Sequence, residues 1–323
     1  MAEWIYETGI GENRAILVDD DCIIEARIEW PGLRAGTVTD ARLTRILISA
    51  RRGIARLDSG EDVLIEPLDR TSEGGTLRIE ITREAIPEPG AVKRAKGRIA
   101  DAPICEGHDL VEQIGQHRVL KQLDADAFEY AGWTELREQA ASGIIPFNGG
   151  TIRVNLTPAM TLIDVDGTLP PLQLAMAGVK AAARVIRTFG ITGNIGIDLP
   201  TVAGKAERLA IAEAFDAELP HPFERTTVNG FGFLQVVRPR VRPSIFELAQ
   251  FDTARFAACA LIRCAQRAGL IGQTRITASP RVIEVLQQNS DWLQQLERQN
   301  GGTILLHSDT ILPISAGSIN RIG

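Results

Sequence analysis

The sequence predicts an α/β chain of several domains (α+β in the multidomain sense), and three observations predict it. Residues 149–155 alternate polar and apolar side chains. A turn follows at Asn155–Ala159, then a short apolar strand at 160–163, a long helical pattern and a third apolar strand at 196–200. Five short strand-like runs between residues 36 and 86 are separated by turn residues, the pattern of a small β-barrel. Helical and strand patterns alternate again from residue 252 to residue 306.

At 323 residues the chain is long enough for a buried core and more than one domain. Hydrophobic residues make up 44% and charged residues 24%, ordinary for a globular protein. The net charge of −6 argues against indiscriminate nucleic-acid binding, so local basic runs must carry any such contact. Cys22, Cys105, Cys259 and Cys264 form neither a disulfide framework nor a Cys-x-x-Cys metal pair. No apolar run reaches about 18 residues and the N-terminus lacks a signal-peptide pattern, so a cytoplasmic protein without membrane contact is expected.

In chain order, strands are predicted at 4–8, 13–18 and 22–28, with a turn at Asp19–Asp21. The barrel runs fall at 36–43, 45–49, 53–57, 62–66 and 76–82, an OB-type arrangement. No Phe, Tyr or Trp lies between Trp30 and Phe128, so this barrel cannot stack bases on aromatic rings. Arg42, Arg45, Arg51, Arg52 and Arg56 are candidates for phosphate contact, or else a solvated face. Lys93–Arg98 reads as a basic linker, a flexible joint by default or else a contact for an RNA backbone, and 109–122 and 133–141 read as helices.

The next stretch carries the chemistry. Asp164 and Asp166 lie two apart in an extended segment, so their side chains point the same way. Pro170 and Pro171 suit a helix's first turn, and Leu172, Met176, Val179, Ala183 and Ile186 follow at helical spacing to a stop at Gly190. The strand ending in Asp198 comes next. A strand-helix-strand unit of this length is normally right-handed and parallel. Asp164 and Asp198, 34 residues apart in sequence, are therefore expected side by side. Each alone also serves as a turn former or helix cap. Gathered at one edge of a sheet, the acids point to a hard cation such as Mg²⁺, which takes one or two carboxylates plus waters.

After Pro200 a helix is predicted at 205–218 with Leu209, Ala212 and Phe215 inward, then paired strands at 225–229 and 231–238. Gly230 and Gly232 would let backbone or ligand approach closely. Arg238, Arg240 and Arg242 form a basic run expected next to the acids, positioning phosphate. A helix at 252–268, a strand at 275–278, a helix at 280–288 and a strand at 302–306 complete the chain.

Four separated segments resemble the ribonuclease E/G family in order and spacing. They are Ile145-Pro146-Phe147-Asn148-Gly149-Gly150-Thr151-Ile152, Pro158-Ala159-Met160-Thr161-Leu162-Ile163-Asp164, Gly196-Ile197-Asp198 and 230–240, which reads Gly-Phe-Gly-Phe-Leu-Gln-Val-Val-Arg-Pro-Arg. The resemblance implies an RNase H-like frame (1–30 and 100–147) with an inserted OB-type RNA-binding domain (31–99). It further implies a DNase I-like catalytic subdomain (148–245) and a small C-terminal αβ domain (246–323). It implies Mg²⁺, with Mn²⁺ as a substitute, held by Asp164 and Asp198. Asp166 stands where the family has Asn, and would orient a metal-bound water or add a third acidic contact. The activity implied is endonucleolytic cleavage of single-stranded RNA that leaves 5′-phosphates. The family's Cys-Pro-x-Cys zinc link is missing, so no zinc is expected and the chain would be a monomer or a dimer joined without zinc. The stretch 100–129 is shorter than the family's 5′-end sensor. An RNA-binding regulatory homologue with little or no nuclease activity is the alternative. Leu162–Leu169 also resembles the first motif of haloacid-dehalogenase-type phosphatases, in which Asp164 would be the nucleophile; for that family's last acidic pair the nearest counterpart is Ser308-Asp309.

Overall fold

The computed structural model describes residues 2–48, 51–68 and 71–322. The protein is a mixed α/β chain with a small closed barrel and several sheets. It divides into two compact units, one of Met1–Pro31, Gln116–Ala141 and Leu248–Gly323, the other of Gly32–Gly115 and Ser142–Glu247. The segment expected as a small C-terminal domain thus falls largely into one unit with the N-terminal strands.

The first unit begins with strands Glu3–Glu7, Asn13–Asp19 and Cys22–Glu29. Asp20 and Asp21 both have positive φ (47° and 59°), the geometry of a two-residue hairpin turn matched to strand twist. The helix predicted over 109–122 is only Leu110–Ile114, at the end of the second unit's first segment, capped reciprocally by Asp109 and Glu112 and ended by Gly115 at φ 68°. Past it, Arg118–Val119 joins the N-terminal sheet parallel to Glu3–Glu7. The helices Thr253–Ala268, Pro280–Gln288 and Ser290–Asn300 pack with a three-stranded sheet of order Ile304–Ser308, Thr274–Ala278, Gly317–Arg321. Its core gathers Ile10, Cys259, Ile262, Ile276, Leu286, Trp292 and Leu296. The helix at 290–300 and the last strand escaped the sequence pattern. The helix is highly polar, with only Trp292, Leu296 and Asn300 buried, and the strand is almost wholly exposed.

The second unit holds the barrel. Its strands are Val38–Ile48, Arg52–Arg56, Asp62–Ile65, Thr76–Arg83 and Ala95–Ile99. The two runs predicted at 36–43 and 45–49 are one strand over the described residues, Ser49 lying outside them. It carries register shifts at Leu43/Arg45 and Ile46/Ile48, and such bulges let a long strand bend around a barrel. Lys93–Arg98, expected as a linker, is corrected. Ala95–Ile99 is the closing strand, parallel to Asp62–Ile65 and antiparallel to Thr76–Arg83. Its inward positions carry small groups, Ala95 and Gly97, while Lys96 pairs with Glu66 at 3.0 Å and Arg98 with Glu80 at 2.7 Å. A hydrophobic-period search overlooks a strand whose core face is so slight. Leu43, Ala55, Val63, Ile65, Leu77, Ile79 and Ile81 fill the interior.

The same unit carries a six-stranded sheet in the order Ile144–Phe147, Gly150–Leu156, Thr161–Gly167, Gly193–Asp198, Phe233–Arg238, Glu224–Arg225. The predicted hairpin and parallel crossover are both present. The crossover helix Pro171–Thr188 buries Leu174, Ala175, Val179, Ala182, Ala183 and Ile186, whereas Leu172 is 37% exposed. The helix Lys205–Glu218 buries Ile211, Ala212 and Phe215, and Leu209 is 50% exposed. In both helices the first predicted core leucine lies off the buried stripe. Ile152, Val154, Ile163, Val165, Ile195, Ile197, Leu234 and Val236 are the buried, alternate residues of the sheet. Among the described residues no helix is long and apolar enough to cross a membrane.

Candidate functional site

The strand period of two that buries Ile163 and Val165 turns Asp164 and Asp166 to the sheet's other face. Cross-strand register then sets four side chains in one row. Arg153 is opposite Asp164 in the hairpin, Asp164 is opposite Asp198 in the parallel pair, and Asp198 is opposite Phe233 in the next antiparallel pair. Neighbouring strands lie about 4.8 Å apart, so the two acids are adjacent and on the same face. Asp164 is half-buried, while Asp166, Asp198 and Arg153 are exposed.

The electrostatics agree with this placement. Burial pushes the Asp164 carboxyl above the ordinary carboxylate range, and the charges of Asp166 and Asp198 push it further. The Arg153 guanidinium and a backbone hydrogen bond at Val165 pull it down. Three acids from two strands therefore share one electrostatic neighbourhood. Arg153, which the motif reading missed, lies 3.5 Å from the Asp166 carboxylate. Both side chains are more than half exposed, so this pair adds little stability. The alternation of residues 149–155 already placed Arg153 on the acid face.

Among the described residues no group of three or more His, Cys, Asp or Glu side chains forms a ready metal shell. The donor set at the row is a carboxylate pair, Asp164 and Asp198, with Asp166 drawn to Arg153. A pair is what Mg²⁺ commonly takes from protein, the remaining positions going to water and phosphate oxygens. Burial and, after it, the neighbouring acids' charges raise the Asp164 carboxyl, and a cation would offset both by neutralising the carboxylates.

A turn closes the row at its far end. Asn229 accepts hydrogen bonds at its side-chain oxygen from the backbone N–H groups of Phe231 (2.9 Å) and Phe233 (3.0 Å). Gly232 has φ 92°, and a Cβ there would stand 2.1 Å from the Leu199 carbonyl oxygen. The Leu199 N–H donates to the Gly232 carbonyl at 3.2 Å. Gly232 thus supplies the close approach expected of it, whereas Gly230 faces open space. Gly196 makes room of another kind. A Cβ there would stand 2.4 Å from the Phe233 ring, so that ring lies across the strand carrying Asp198.

The basic run is not beside the acids, which corrects the expectation for Arg238, Arg240 and Arg242. Phe233–Arg238 runs antiparallel to Gly193–Asp198, so Phe233 meets Asp198 and Arg238 meets Gly193. Five residue steps separate the two pairs, about 17 Å along a strand. The arginines brace the unit there instead. Arg238 donates to the Ile191 carbonyl at 2.9 Å, Arg240 pairs with Glu247, and Arg242 donates to the Gln113 side chain. On the barrel, Arg42, Arg45 and Arg51 are exposed. Arg42 donates to the Gly74 carbonyl, Arg52 pairs with Glu66 at 2.8 Å, and Arg56 pairs with Asp62 at 2.8 Å. Ion-paired arginines offer phosphate less charge than their number implies.

Comparison with known proteins adds no further constraint: no family model matches the chain, and no curated protein is significantly similar to it.

Proposed function

We propose that the protein is a metal-dependent endoribonuclease of the ribonuclease E/G type that cuts single-stranded RNA and leaves 5′-phosphates. The observation carrying this reading is the register pairing of Asp164 with Asp198 on the solvent face of the sheet. In this reading the barrel is an OB-type RNA-binding domain. Its strand order, with the third and fifth barrel strands parallel, supports that assignment. The N-terminal sheet is the RNase H-like frame, and the six-stranded sheet is the catalytic subdomain.

Asp164 and Asp198 would hold Mg²⁺, or Mn²⁺ in its place. Such an ion, when bound, supplies an activated water and neutralises charge on the scissile phosphate. The chain's own residues set the stage. The two carboxylates stem from paired positions of one sheet, and positioning on rigid elements is more accurate than on loops. Arg153 draws Asp166 aside and lowers the local negative potential that would otherwise repel phosphate. Phe233 lies across Gly196 and adds an apolar surface next to Asp198 in the register.

The deciding experiment offers purified protein single-stranded RNA and, separately, a generic phosphomonoester, each with Mg²⁺ or EDTA. RNA cutting that needs Mg²⁺ and is lost in Asp164→Asn and Asp198→Asn supports the reading. Phosphomonoester turnover through a phospho-aspartate, or RNA binding without turnover, overturns it in favour of a phosphatase or a regulator.

The raised Asp164 carboxyl also predicts a stability effect. The folded protein holds this proton more tightly than the unfolded chain does, so its ionisation costs stability as pH rises through the folded-state pKa. Asp164→Asn in EDTA at neutral pH should therefore raise the melting temperature. Like charges directly opposite on a sheet cost about 0.2–1 kcal/mol, so a rise of about 0.5–3 °C is expected. The gain should shrink as the pH falls and the wild-type carboxyl becomes protonated. A variant less stable than wild type at neutral pH would contradict the charge repulsion at this row.

A further inference from the structure

We infer that Phe231 is a stacking shelf for an unpaired nucleobase next to the acid pair. This rests on the proposed RNA substrate and names how that substrate is gripped. The chain has ten phenylalanines. Among the described residues Phe231 alone of these is exposed, at 86%, while the others are buried or half-buried. Single exposed apolar residues are common on protein surfaces, so exposure by itself decides nothing. Three further observations set this one apart.

The ring stands on a fixed frame. The Phe231 N–H donates to the Asn229 side chain at 2.9 Å, and the Phe231 carbonyl accepts from the Thr201 hydroxyl at 3.3 Å. The next residue, Gly232, is locked against Leu199 by its positive φ and by the Leu199 N–H bond. Holding the backbone this way presents the ring at little ordering cost on binding. Second, the frame is joined to the strand end that carries Asp198, since Leu199 and Thr201 stand one and three residues after it. A base on Phe231 would therefore sit within a nucleotide or two of the phosphate at the acids. Third, no Phe, Tyr or Trp lies between Trp30 and Phe128, so the barrel offers a base none of these rings, and Phe231 is the exposed phenylalanine of the unit. Phe233, half-buried, lies across Gly196 and adds an apolar surface next to Asp198.

Stacking on an aromatic face tolerates every base, because every base has a π-face. The shelf would thus grip single strands without sequence preference and would reject a duplex, whose bases are already stacked. It also offsets the weak electrostatic attraction of an acidic chain.

The test is equilibrium binding of a short single-stranded RNA to the full chain in EDTA, by fluorescence anisotropy, so that cutting plays no part. Phe231→Ala should weaken binding roughly tenfold, and Phe231→Trp should hold or improve it. Replacing one nucleotide after another by an abasic unit should find one position that costs wild type about tenfold and costs Phe231→Ala nothing. Circular dichroism confirms that the exposed substitution leaves the fold intact. Equal binding by wild type and Phe231→Ala, abasic losses alike in both, or no binding of single-stranded RNA would each overturn the proposal. The nuclease reading fails separately, on cutting that survives Asp198→Asn, so the two failures are told apart.

Discussion

Asp198→Asn should lower Mg²⁺-dependent cleavage of single-stranded RNA by about 10³-fold or more, with far-ultraviolet circular dichroism unchanged. The residue is exposed at the end of the Gly193–Asp198 strand, so asparagine fits without repacking. What changes is charge. An ion held there contributes several kcal/mol to stabilising charge in the transition state, and each 1.36 kcal/mol is tenfold in rate. The loss should appear in kcat, and raised Mg²⁺ should recover only part of it, because an amide oxygen is a weaker ligand than a carboxylate. Arg238→Ala, about 17 Å away along the strand by register, should leave the Mg²⁺ dependence as it was. A variant at 198 that cuts at the wild-type rate would remove the acid pair from the chemistry.

The second large effect is on stability. Glu7→Ala should destabilise the first unit by about 3–5 kcal/mol, the cost of stripping the partner from buried charges. Glu7 is 3% exposed, and its carboxylate meets Arg14 at 2.7 Å, Arg267 at 2.6 Å and Arg263 at 3.4 Å. Arg14 also lies over the rings of Phe128 and Trp133, at 4.2 Å and 5.0 Å from their centroids. Without Glu7, three closely packed guanidiniums lose their shared counter-charge. Burial already pulls the Arg263 guanidinium below its usual range, so the environment is costly for charge. Glu7→Gln should cost less, since it keeps the shape and an acceptor oxygen. Trp4, Trp30, Trp133 and Trp292 are the chain's four tryptophans and all belong to the first unit. Urea unfolding followed by tryptophan fluorescence therefore reports on that unit. A midpoint lowered by less than the equivalent of about 1 kcal/mol would mean that the arginines find solvent or other partners.

Sequence pattern alone determined the six-stranded-sheet half of the second unit with some accuracy. The hairpin 150–167, the crossover helix and the strand ending in Asp198 stand where local periodicity set them. The adjacency of Asp164 and Asp198 followed as well, because a parallel crossover of this length has essentially one handedness. Such features arise from short-range sterics and side-chain period, which are written in consecutive residues.

Other features needed partners distant in the chain. Whether Phe233–Arg238 runs parallel or antiparallel to its neighbour is a property of the sheet. That choice carried Arg238, Arg240 and Arg242 to the end away from the acids. The role of Ala95–Ile99 as a strand depended on a barrel waiting to be closed, since small residues and charges give no strand signal alone. The burial of Glu7 was hidden too, because its arginines at 263 and 267 come from the far end of the chain. Local order reads from neighbours in sequence, whereas direction, closure and charge compensation are decided where distant segments meet.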